Sequence, residues 1–560
     1  MSEHRRQLIA GLRITSFWTL TSRLLGMVRD MATAALLGLS GSGVMDAFVL
    51  AFRIPNLFRR LFGEGALAAS YLPVLTEKLE RDRADAWRLA SVALTLFAVV
   101  LVGLVLVGEL LCLAAWLFVE GGAGGSGAGV TTADGGSGES ALLVGLTALL
   151  LPYVLFICLA AQVSATLHAL GRFGLPAFVP IVLNVVWIAA AVVVAPAVSD
   201  DKSGQAYVLA AAVLLGGSLQ LGIQLPLLFR LGFRYDFDWS RSRTSLAAIV
   251  ASLLPMLLGL AITQINTLAD SVLAYTLSAA AGEEGSPVAW LGGVVDYPMR
   301  QGATAAIYYG ERLYQFPVGM LGIAVATVIF PLLSRHAARR EFARIGPDLS
   351  LGLRLVLFLS VPAAAGLALL AEPIARLLFE RGEFSGEDAR RTADMIQSYA
   401  PGVWAYCALP VVVRGFYALG NHTTPVRVGA GMVALNLALN LALVWSLAER
   451  GLAVATATSA AVQVVLLMLI FSRRCGRLDW PRLAAAAARS LVATVVMTAA
   501  AYATLAAIAA EPELTARLGR VGLPLGVAVV VYLAVYALLR GPELHMLRGQ
   551  FEEGFSGSGR

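Results

Sequence analysis

Residues Thr21–Glu77 read TSRLLGMVRDMATAALLGLSGSGVMDAFVLAFRIPNLFRRLFGEGALAASYLPVLTE, and this stretch decides how the chain is read. Its apolar residues suffice for two membrane-crossing helices, placed at 12–38 and 43–75. Yet those helices carry Arg23, Arg29, Asp30, Asp46, Arg53, Arg59, Arg60 and Glu64. A charged side chain at membrane depth is costly, and it normally faces a cavity or a partner. Single residues can be interfacial anchors whose stems lie along lipid, with Arg60 and Glu64 as an i,i+4 pair. The set as a whole predicts a hydrated, cationic cavity between helices, suited to an anion.

The rest of the chain agrees with a membrane setting. Of 560 residues, 58% are hydrophobic and 14% charged, and the mean hydropathy is +0.77. Runs of about 20 apolar residues span a bilayer as helices, whereas a barrel would show short alternating segments. The expected fold is therefore all-α and polytopic, with about fourteen transmembrane helices. The first helix begins behind Arg5, Arg6 and Arg13 and passes Gly38 without a small-residue cleavage site, so it reads as retained rather than as a signal peptide.

The net charge of +6 belongs to the loops. Alternate loops hold about 24 and about 8 basic residues, which places both termini in the cytoplasm. Nucleic acid is therefore not an expected partner. Cys112, Cys158, Cys407 and Cys475 are scattered and suggest neither a disulfide framework nor a metal site. No Walker-type loop, H-E-x-x-H or G-x-S-x-G occurs, so no enzyme is expected. The outward loops at 120–140 and 283–301 receive no function.

An internal repeat organises the helices. His168-Ala-Leu-Gly-Arg-Phe-Gly-Leu-Pro176 and Tyr417-Ala-Leu-Gly-Asn-His-Thr-Thr-Pro425 share the frame A-L-G-x-x-x-x-P. Tyr71-Leu-Pro73-Val-Leu and Phe330-Pro331-Leu-Leu match in the same way. Both matches are offset by six helices, and an even offset keeps the repeats parallel. The expected division is residues 1–240 for helices 1–6, 241–480 for helices 7–12, 481–545 for two appended helices and 546–560 for a cytoplasmic tail.

Asp46, Arg53 and Arg60 recur every seven residues on one face, with Asn56 and Arg59 beside them and Pro55 loosening the helix. Arg23 and Arg29 lie about 9 Å apart along the first helix, and Asp30 is one heptad from Arg23, placed to orient it. Converging guanidiniums suit a pyrophosphate better than a single carboxylate. Glu311-Arg312 opens the second repeat's counterpart of helix two, so Arg312 is expected to face the same cavity. Asp270 in helix seven, Asn436 and Asn440 in helix eleven, and Thr456, Thr458 and Ser459 in helix twelve offer hard oxygen donors for a cation; interhelical hydrogen bonding is the alternative.

Three motifs carry a resemblance: S-R-L-L-G-x-x-R-D from Ser22, D-A-F-x-x-A-F-R-I-P-N-L-F-R-R-L-F-G-E-G-A from Asp46, and E-R-L-Y-Q-F-P-x-G-x-L-G-x-A-x-A-T-x-x-F-P from Glu311. They resemble the MurJ/MviN lipid II flippase family of the MOP exporter superfamily, over nearly the whole chain. The resemblance implies a two-lobe transporter of the bacterial inner membrane. It would carry lipid II, the undecaprenyl-pyrophosphate-linked peptidoglycan precursor, from inner to outer leaflet for cell-wall synthesis. It implies substrate-binding roles for Arg23, Arg29, Asp46, Asn56, Arg59, Glu64, Glu311 and Arg312. It also implies a sodium site at Asp270, Asn436, Asn440 and Ser459, with sodium or a proton as coupling ion and no other cofactor. Helices 13 and 14 would line a groove for the lipid tail. Lipid II and membrane lipids are the expected partners of a monomer working beside the cell-wall synthesis machinery. A flippase for another lipid-linked oligosaccharide would lack the helix-two motif, and a MATE-like exporter would have twelve helices and few cavity arginines.

Overall fold

The computed structural model describes residues 3–123, 135–280, 283, 285–288, 293–509 and 513–544. The tail at 546–560, Trp290 and most of the loop at 120–140 lie outside the described residues. Among the described residues, twelve helical segments are long and apolar enough to cross a membrane. The opening pair, around Thr21–Glu77, is helical but is not among them, because its charges break up every apolar window. Reaching the expected fourteen requires the two charged helical segments to cross as well.

Two compact units divide the chain, one of Met1–Ala305 with Arg381–Phe384, the other of Ala306–Glu380 with Ser385–Arg560. In the first, α1 (Glu3–Leu37) precedes α2 (Val44–Phe58), a π-helical stretch (Arg59–Ala66) and α3 (Leu67–Arg81). There follow α4 (Arg83–Ala123), α5 (Gly135–Leu150), α6 (Tyr153–Ala169), α7 (Gly174–Ala189), α8 (Ala195–Val198), α9 (Lys202–Gly222), α10 (Leu225–Arg230) and α11 (Trp239–Thr276). The helix α11, which the repeat pattern assigns to the second half, clusters with the first unit. An apolar core joins α3, α4 and α6 through Tyr71, Leu75, Trp87 and Val163.

The second unit takes most of α12 (Ala303–Pro317), then a π-helical stretch (Val318–Gly322) and α13 (Ile323–Ala338). It continues through α14 (Phe342–Leu369), α15 (Ala371–Phe379), α16 (Gly386–Tyr399), α17 (Val403–Ala418), α18 (Thr423–Leu447) and α19 (Glu449–Arg474) to α20 (Trp480–Ala507) and α21 (Leu514–Leu538). Its main core lies among α13, α14, α17 and α19. On another side of α14, Phe358 meets Ala493, Met497 and Ala501 of α20 and Ala528, Tyr532 and Tyr536 of α21. Lipid is as apolar as leucine, so small residues such as these alanines, by letting backbones approach, do much of the packing between membrane helices.

The repeat is visible in backbone detail. Gly171 and Gly420 have φ of 71° and 70°. Around them Gly171 N–H donates to His168 O and Arg172 N–H to Leu167 O, while Gly420 N–H donates to Tyr417 O and Asn421 N–H to Phe416 O. Both A-L-G frames thus end a helix with the same glycine-dependent wrap, in which a left-handed residue closes the last turn. Two of the π-helical stretches repeat as well, since each follows a proline, Pro55 or Pro317, and contains two glycines, whereas a third, Ala190–Val194, contains none.

Candidate functional site

Arg29 and Asp30 are both buried in α1. The Arg29 guanidinium donates from Nε and Nη2 to Asp30 Oδ1 at 3.1 and 2.7 Å, and from Nη1 to Asn184 Oδ1 at 3.2 Å. It also lies 4.7 Å from the centre of the Trp187 ring. Asn184 in turn donates to Ser22 O, and Trp187 Nε1 to Thr33 Oγ1. Helix α7 therefore holds a guanidinium in a fixed orientation inside the first unit. Asp30 orients Arg29, not Arg23 as its heptad spacing suggested, and Arg23 is exposed. The reason is local: the adjacent side chain reaches back over its own backbone, and α7 brings Asn184 and Trp187 to Arg29.

In α2 the seven-residue stripe is divided in use. Arg53 and Arg60, with Asn56 and Leu57, face Gln264, Thr267 and Leu268 of α11 across a narrow gap of about 10 Å³, room for a single water. Arg60 Nη1 reaches Gln264 Oε1 at 3.5 Å. Arg59 Nε donates to Asn56 Oδ1 at 2.9 Å, which ties the first π-helical residue to the α-helix before it. Asp46 is elsewhere: its two carboxylate oxygens accept the N–H groups of Gly302 (2.6 Å) and Ala305 (2.8 Å), capping the start of α12. The Glu64 side chain lies outside the described residues.

The remaining predicted residues fall mostly in the second unit. Arg312 is half-buried, donates from Nη2 to Tyr308 Oη at 2.8 Å and lies 4.8 Å from that ring's centre. Its neighbour Glu311 is buried. Asn440 Nδ2 donates to Asn436 Oδ1 at 3.0 Å, and Asn436 Nδ2 to Thr456 Oγ1 and Ser459 Oγ at 3.1 and 3.3 Å. This polar cluster joins α18 to α19, whereas Asp270 is buried in α11 of the first unit. Among the described residues no group of three or more His, Cys, Asp or Glu could hold a metal ion. Sequence reasoning did not single out Asn184, Trp187, Gln264 or Tyr308. For Asn184 a signal existed, since it is the lone amide in the apolar helix α7.

The geometry is that of a helical membrane protein with oriented guanidiniums inside its helices, and the fold sets the class. A solved structure described as the inward-facing conformation of a multidrug resistance MATE family transporter of the MOP superfamily matches with TM-score 0.59 at 12% identity, over 81% of this chain and 95% of that one. A second, described as lipid II flippase MurJ in an inward closed conformation, matches with TM-score 0.70 at 22% identity, over 94% and 98%. The fold is thus that of the MOP transporters. The family model described as "Lipid II flippase MurJ" matches residues 33–513. A Vibrio cholerae serotype O1 protein, named "Probable lipid II flippase MurJ", is 35% identical over 471 residues, covering 83% of this chain and 82% of its own. The chain belongs to the MurJ family.

Proposed function

We propose that this protein is a lipid II flippase of the bacterial inner membrane, moving the lipid-linked peptidoglycan precursor from the inner to the outer leaflet by alternating access. Family membership supports the substrate, and the guanidiniums of Arg29, Arg53, Arg59 and Arg60 are the structural observation that carries it. A pyrophosphate needs forked donors held in place, and Arg29 is locked by Asp30, Asn184 and Trp187 before any ligand arrives. The hydrocarbon tail stays in lipid while the charged headgroup moves among arginines in water, so neither part has to be transferred into the wrong medium. Arg312 with Glu311, and Arg23, Asn56 and Glu64, complete the substrate-binding set in this reading, and Asp46 supports it indirectly by fixing the start of α12. The positive-inside pattern supports a cytoplasmic position for both termini.

A monovalent cation drives the return step in the same reading, with Asn436, Asn440 and Ser459 as oxygen donors. Amide and hydroxyl oxygens in the α18–α19 cluster are the hard donors that such an ion takes. The test of the whole reading is replacement of the resident lipid II flippase in a depleted bacterium. Growth with the wild-type chain and lysis with Arg59→Ala are expected. Lysis with a stably inserted wild-type chain refutes it.

A further inference from the structure

A second cationic cleft lies in the second unit, away from the residues above. It has a volume of about 520 Å³ and is lined by Arg376, Arg390, Arg517, Arg520, Glu372 and Glu380. Four guanidiniums thus face two carboxylates, and those carboxylates are largely occupied. Arg376 donates to Glu372 Oε1 from Nε and Nη2 at 2.9 and 2.7 Å, and to Glu380 Oε2 from Nη1 at 3.1 Å. Arg517 donates to the carbonyl oxygens of Arg376 and Glu380 at 3.2 and 3.0 Å. Arg390 comes no nearer than 3.6 Å to Glu372. Arg520 is half-buried, and its Nε is buried without a hydrogen-bond partner.

A buried guanidinium N–H left without an acceptor carries a desolvation cost, and so does the surplus of positive charge beside it. An anion in the cleft relieves both. The site is also built for one: Arg517 and Arg520 stand in the first two turns of α21, a 25-residue helix whose free N–H groups and dipole favour negative charge. One wall is apolar, formed by Leu369, Pro373 and Leu505. We propose that this cleft binds a phosphate or pyrophosphate group, as a lipid headgroup or as the free anion. In the orientation argued above, which is the only part of that reading used here, the cleft opens at the outer face, because it lies where α20 ends and α21 begins.

Hydrogen–deuterium exchange of the full chain in neutral-lipid nanodiscs tests this, with inorganic pyrophosphate in one arm and a polyprenyl pyrophosphate lipid in the other. Slower exchange of the backbone at 371–381 and 514–521 is expected, reversed by high salt. Arg520→Gln weakens the apparent affinity roughly tenfold, while Arg520→Lys retains part of it. Protection by both probes assigns the site to the anion itself, and protection by the lipid alone assigns it to a headgroup; either supports the proposal. Protection by neither, or equal protection in Arg520→Gln, overturns it. The backbone at 44–66, measured in the same samples, reports on the α2 arginines independently. Its failure to respond counts against the transport site and leaves the cleft standing.

Discussion

Arg29 offers a perturbation in which folding and transport separate. Arg29→Ala removes both donors to Asp30, the donor to Asn184 and the contact with Trp187. The pair is nearly sealed, with 10% and 7% of the two side chains exposed. Removing one member of a buried ion pair strands the other, at a cost of about 3–5 kcal/mol. Adding Asp30→Asn removes the stranded charge while an amide fills the same space. The double variant loses the ion pair as a whole, which is close to break-even against its desolvation, along with the bond to Asn184 and the ring contact, about 1–3 kcal/mol together. Melting curves of detergent-purified protein therefore order as wild type, double variant, Arg29→Ala. Complementation of a flippase-depleted strain does not follow that order, because both variants lack the guanidinium, and both fail. A double variant that complements refutes the claim that Arg29 acts on substrate, and one that melts below Arg29→Ala refutes the pairing.

Arg312→Ala loses the bond to Tyr308 and the contact with its ring, still inserts, but fails in complementation; normal growth removes Arg312 from the substrate site. Arg354 donates to Glu543 Oε1 at 2.7 Å and Tyr536 donates to Oε2 at 2.7 Å, so Glu543→Ala destabilises the protein by about 3–5 kcal/mol, read as a fall in melting temperature, and a wild-type curve contradicts it. Burial raises the Glu543 carboxyl, but Tyr536 and Arg354 outweigh it, so it sits below its ordinary value. Its contribution is fully present above the unfolded value of about 4.3 and is lost as pH falls through the lower folded value, a loss that Glu543→Gln removes from the acid melting profile. Sodium at ten times its dissociation constant stabilises by about 1.4 kcal/mol if α18 and α19 supply a site, and Asn440→Ala abolishes this; a sodium-independent melting curve returns Asn436 and Asn440 to interhelical packing.

The helical architecture was legible because apolar runs of membrane length have one stable outcome, and the A-L-G frame because only glycine takes its left-handed turn without strain. The family was legible from charged motifs that packing alone would not keep inside a membrane. Other features depend on contacts that no spacing reveals. Asp46 sits in register with Arg53 and Arg60, yet it caps a helix more than two hundred residues away. Asp30 pairs with its neighbour because α7 brings Asn184 there. Pro55 foretold a weakened helix, but the π-helical stretch begins at Arg59, extending over Gly63 and Gly65, where no side chain resists a wider turn. Gly322 in the other repeat tells the same story from packing, since a Cβ there would lie 2.7 Å from the Cα of Cys407.

The proposed activity is tested most directly by where lipid II resides in a depleted strain that carries this chain. Outer-leaflet lipid II, read by its accessibility to an externally added hydrolase, returns to normal within one depletion cycle when the wild-type chain is expressed and stays absent with Arg59→Ala. Lipid II that remains inaccessible while the wild-type chain is present and folded in the membrane contradicts the proposed activity.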